Sequence, residues 1–83
     1  MSEELTGREW MERFSTAQGQ VQFNLQWLVF RMGQLGVMLE HDKPTAKLLA
    51  EEMGGDVQDV LDAAHQFAAI AGDMLTNARR NAG

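Results

Sequence analysis

Asp62 and His65 are the pair in this sequence whose types and spacing come nearest to chemistry. A carboxylate three residues before a histidine puts both on one helix face, the arrangement by which helical bundles hold paired iron ions. Such a site also needs carboxylates projecting inward from a neighbouring long helix. Between Glu12 and Glu40 the chain carries no Asp or Glu at all, and Asp62 and His65 fall off the apolar row of their own segment. The pair is therefore expected to be exposed and free of metal. Glu40-His41-Asp42 is the other titratable cluster, but consecutive residues point in different directions and read as a solvated turn. Ser2 and Ser15 are the only serines, and cysteine and tyrosine are absent. A nucleophile needs a base within hydrogen-bond reach, and no spacing here supplies one. The expectation is a protein that is not an enzyme, with no cofactor and no metal.

A different kind of signal lies between Thr45 and Ala64. A helix-turn-helix wants a small residue within its first helix, glycine at the turn and an aliphatic residue in its second helix. Ala50, Gly54 and Val60 have that spacing, so a dimeric helix-turn-helix DNA-binding transcriptional regulator stands as the alternative reading. Charge argues against it. From Lys47 to Arg79 there is no intervening Lys or Arg, while Glu51, Glu52, Asp56, Asp59, Asp62 and Asp73 all fall in this stretch. Nucleic-acid binding draws much of its affinity from basic side chains on phosphates. Glu51, Glu52, Asp56, Asp59 and Asp62 instead form a candidate acidic face for a basic protein partner.

The elements that position these residues read as helical throughout. Thr6 and Glu9 have the spacing of a capping box, in which hydroxyl and carboxylate each satisfy an orphan backbone N–H, so a helix is predicted to begin at Thr6. Met11, Gln18, Leu25, Met32 and Leu39 then recur every seven residues, as do Phe14, Val21, Leu28 and Leu35, which predicts a coiled-coil-like seam. Gln18-Gly19 offers a place for a break. A second stripe, Phe23, Trp27, Phe30 and Val37, lies on roughly the opposite face. His41-Asp42-Lys43-Pro44 reads as a stop and restart. Thr45 to Met53 then reads as a short connecting helix ended by Gly54-Gly55. Asp56 is expected to cap a last helix, whose seam is Val57, Val60, Leu61, Ala64, Phe67, Ala68, Ala71, Met74, Leu75 and Ala78.

Size turns this pattern into an expectation about assembly. Eighty-three residues with a net charge of -5 make one small helical domain, residues 1–83, whose own core is marginal. A helix from Thr6 to Leu39 would be about 50 Å long, against a radius of gyration of about 12 Å for a compact chain of this size. The expected fold is all-α: two long helices plus a short connecting helix, a helical bundle completed by dimerisation, with Phe23, Trp27, Phe30 and Val37 at the oligomer interface. The most apolar stretch, Val21 to Leu39, carries Gln22, Asn24, Gln26, Arg31 and Gln34, too polar for a bilayer. The start, Met1-Ser2-Glu3-Glu4-Leu5, lacks the basic and apolar runs of a signal peptide, so a cytoplasmic location is expected. Together these observations describe a small non-enzymatic interaction or regulatory protein, a homodimer that binds another macromolecule.

Overall fold

The computed structural model describes residues 5–82, so the acidic start Met1-Ser2-Glu3-Glu4 lies outside the described residues. Two helices account for nearly all of it: α1, Gly7–His41, and α2, Lys43–Ala82. Thr6 is the N-cap of α1. The Glu9 N–H donates to Thr6 Oγ1 (3.2 Å) and the Thr6 N–H donates to Glu9 Oε1 (3.1 Å), closing the capping box. The hydrogen bonds from the Thr6 backbone and hydroxyl hold the Glu9 carboxyl below its ordinary pKa. Asp42 alone separates the helices. Its N–H donates to the Met38 carbonyl (2.7 Å), ending α1, and its carboxylate accepts from the Thr45 hydroxyl (2.6 Å) and the Thr45 N–H (3.2 Å), starting α2. Those two Thr45 bonds, the hydroxyl's first, hold the Asp42 carboxyl below its ordinary pKa. Pro44 falls in the first turn of α2, where a missing N–H costs no helical bond.

The expected short helix over residues 45–53 is not separate. α2 runs through Gly54 and Gly55 without interruption, and no described glycine has a positive φ. Each glycine costs a helix about 1 kcal/mol relative to alanine. Met53 on one side is buried and Asp56 on the other is half-buried, so packing against α1 holds the helix on both sides of the pair. Asp56 accordingly sits inside the helix rather than capping one. α1 likewise continues through Gly19, between buried Ala17 and half-buried Val21.

The helices form an antiparallel hairpin, with burial repeating every seven residues as in a coiled coil. On α1 the inward rows are Phe14, Val21, Leu28, Leu35 and Trp10, Ala17, Asn24, Arg31, Met38. On α2 they are Ala46, Met53, Val60, Phe67, Met74 and Leu49, Asp56, Ala63, Ile70, Asn77. Phe14 meets Phe67 across the hairpin with ring centroids 4.8 Å apart. Half of the expected α1 seam is thus inward. Its other half, Met11, Gln18, Leu25, Met32 and Leu39, is exposed, and the less apolar row one residue earlier takes its place. The same holds on α2. Val60, Ala64, Phe67, Ala71 and Met74 are half-buried, while Val57, Leu61, Ala68, Leu75 and Ala78 face outward.

One polar pair of these rows meets across the hairpin, while Asn24 donates to the Gln20 carbonyl of its own helix (2.9 Å). Arg31 Nε lies 3.0 Å from Asp56 Oδ2 and the Arg31 guanidinium 3.6 Å from Glu52 Oε2. The Arg31 and Asp56 side chains retain only 20% and 16% of their exposure, so the pair is well shielded from water. The guanidinium also lies over the Trp27 ring, 5.7 Å from its centroid, within cation–π range. The resulting rod measures 60 × 19 × 16 Å, with a radius of gyration of 18.5 Å.

Candidate interaction surface

A two-helix hairpin has two flanks, because the rows just outside the seam on one side of each helix lie together. The surface grooves between α1 and α2 define the first flank. One is lined by Gln20, Asn24, Asp59, Asp62 and Gln66, another by Gln34, Met38, Leu48 and Glu52. Trp27 shares the row of Gln20 and Gln34 at seven-residue spacing. Phe23, Phe30 and Val37 form the next row outward on α1. The aromatic stripe therefore borders the acidic strip of α2. All four stripe residues are exposed, Phe23 most at 68%, and the Trp27 and Phe30 rings lie 5.9 Å apart, tilted by 34°.

The five acids singled out in the sequence do not share one face. Glu52, Asp59 and Asp62 border the first flank, and Asp62 is tied to Gln58, whose side-chain amide donates to it (2.9 Å). Glu51 lies exposed one position away from Glu52. Asp56 is turned into the hairpin against Arg31, so it is not a free charge for a partner. Sequence reading missed this ion pair, although a signal existed: Arg31 is the one Lys or Arg between Arg13 and Lys43. Asp56 likewise interrupts the otherwise apolar run Leu49, Ala63 and Ile70 at seven-residue spacing.

The second flank is opposite in character. α1 contributes Met11, Leu25, Met32 and Leu39, with Val29 alongside. α2 contributes Val57, Ala64, Ala71 and Ala78, with Leu61, Ala68 and Leu75 alongside. Among the described residues no Asp or Glu occupies any of the four rows that make this flank; every acid of the two helices lies in another row. Among the described residues no group of three His, Asp or Glu side chains is placed to hold a metal ion, and His65 is exposed.

The geometry is that of an exposed protein surface with two chemically distinct faces on a helical hairpin. Among the described residues no helix is long and apolar enough to cross a membrane. Comparison with protein-family models, with curated proteins and with solved structures finds no match. The reading of function therefore rests on the faces themselves.

Proposed function

We propose that this chain is a small, non-enzymatic interaction or regulatory protein of the cytoplasm that works as a helical homodimer and binds another macromolecule. The observation that carries the reading is the disproportion between what the hairpin buries and what it leaves out. Among the described residues only Ala17, Ala46, Met53 and Ala63 are buried apolar residues, while Phe23, Val29, Phe30, Leu39, Leu48 and Leu75 each stay more than half exposed. Monomeric proteins rarely leave contiguous apolar area on this scale without a partner. The flank that joins Phe23, Trp27, Phe30 and Val37 to Glu52, Asp59 and Asp62 suits a basic protein surface with apolar anchors, since aromatic anchors supply affinity and acids supply steering.

The alternative of a helix-turn-helix DNA-binding regulator has less support. It needs a turn at Gly54, where α2 is continuous, and its reading helix would present Asp59 and Asp62 to phosphates. The test is affinity capture from the native host with the unmodified chain and with a Trp27→Ala/Asp59→Asn/Asp62→Asn variant, each bound species identified by mass spectrometry. A protein retained by the first and lost by the second is expected. Nucleic acid retained by both would overturn the reading in favour of the alternative.

A further inference from the structure

We propose that the acid-free flank is the surface on which a second copy of this chain docks, giving a two-fold four-helix bundle. The inference rests on the homodimer reading above and adds which face makes the contact. Four observations lead to it.

The first is area. The hairpin exposes 6468 Å², whereas a compact chain of 9.3 kDa is expected to expose about 5,000 Å². The excess, roughly 1,500 Å² per chain, is the scale that each partner buries in an obligate homodimer. The second is the choice of inward row. Each helix turns polar residues into the hairpin, Asn24 and Arg31 on α1, Asp56 and Asn77 on α2, while Met11, Leu25, Met32 and Leu39 of α1 and Val57, Leu61, Ala68, Leu75 and Ala78 of α2 stay outside. Both helices are rotated towards the same flank. A lone hairpin loses apolar burial by this arrangement; a hairpin covered on that flank gains a core four helices wide.

The third observation is charge. A chain of net charge -5 opposes a copy of itself with least repulsion where it carries no acid, and this flank carries none. The aromatic stripe, by contrast, borders Glu52, Asp59 and Asp62, so a two-fold contact there sets acid near acid. The fourth is position. The Arg31–Asp56 contact sets the exposed Leu25 and Met32 of α1 level with the exposed Val57 and Leu61 of α2. A two-fold axis along the hairpin sets α1 of each copy against α2 of the other at the same level, so these apolar residues meet one another in both directions. Such self-complementarity is what an isologous interface requires.

The experiment is sedimentation equilibrium on the unmodified chain and on two paired variants. Leu25→Ala/Leu61→Ala is expected to raise the dimer dissociation constant at least about 100-fold, from four leucines lost per dimer. Phe23→Ala/Phe30→Ala is expected to leave it within about threefold, the range of a distant surface change. The reverse ranking overturns the proposed face while keeping the homodimer. A monomeric unmodified chain overturns the homodimer reading itself. A second measurement avoids any loss of packing and exploits the absence of native cysteine. Ala68→Cys lies on the proposed interface and Ala69→Cys in the row of Leu48 and Asp62 on the first flank, and both positions are exposed in the hairpin. Maleimide should modify Ala68→Cys at least about tenfold more slowly, the protection that a well-occupied docked state confers. Equal rates in a dimeric sample overturn the proposal.

Discussion

Replacing Gly54 and Gly55 by alanine tests the continuity of α2 through the sign of the result. In a helix interior, alanine is more stable than glycine by about 0.5–1 kcal/mol. An added Cβ at either position meets nothing within 4 Å, and neither φ is positive. Packing therefore subtracts nothing within the hairpin, and the pair should add about 1–2 kcal/mol. For a domain of this size that corresponds to a rise in Tm of roughly 5–15 °C. If the two glycines instead made a left-handed turn between two helices, alanine there would destabilise by about 1–2 kcal/mol per residue. Thermal unfolding followed by far-ultraviolet circular dichroism, at one fixed chain concentration, gives the sign directly. Gly54 borders the acid-free flank and Gly55 does not, so Gly55→Ala alone isolates the helical term. Gly72→Ala, in the same helix and equally open, calibrates it. A rise for Gly72→Ala with a fall for Gly55→Ala would refute an uninterrupted α2.

Asp56→Ala strands a well-shielded Arg31 and should cost about 1–3 kcal/mol, whereas the paired change Arg31→Met/Asp56→Leu is expected to be neutral or stabilising in chemical denaturation. If the single change proves silent, the ion pair does not hold the hairpin register. Thr6→Ala removes the hydroxyl half of the capping box and should lower stability by about 1 kcal/mol, measured the same way. The depressed pKa values of Glu9 and Asp42 mean that both carboxylates bind protons more weakly folded than unfolded. Their contribution is complete above the ordinary carboxylate range and is lost as pH falls through the lowered folded values. Stability should therefore decline on acidification, and Asp42→Asn should flatten that decline; an identical pH profile for the variant would contradict it. Mobility-shift assays with duplex DNA at physiological salt should show no retardation, and tight, salt-sensitive retardation would restore the helix-turn-helix alternative.

Local signals in this sequence were readable and non-local ones were not. Thr6 with Glu9, and Asp42 before Pro44, encode their structure within a few residues, and both helix boundaries fell where those residues pointed. Phe14, Val21, Leu28 and Leu35 were equally plain as an inward row. Whether that row pairs with Leu25 and Met32 or with Asn24 and Arg31 depends on the facing helix. Counting apolar residues favours the first, because it does not know that Asp56 waits opposite Arg31. Gly54-Gly55 misled for a related reason. Two adjacent glycines resemble a turn when read alone, and only the packing of Met53 and Asp56 against α1 keeps them helical. The acid-free flank was present in the sequence as a pattern, but the rows that compose it come from two helices. It becomes one surface only when the hairpin closes.

The mass of the unmodified chain in solution bears most directly on the claim that this flank is covered by a second copy. Sedimentation equilibrium at micromolar concentration should return twice the 9.3 kDa chain mass, with weights independent of loading down to the dissociation constant. A single 9.3 kDa species across that range would contradict the account, because the hairpin would then keep its most apolar flank in water.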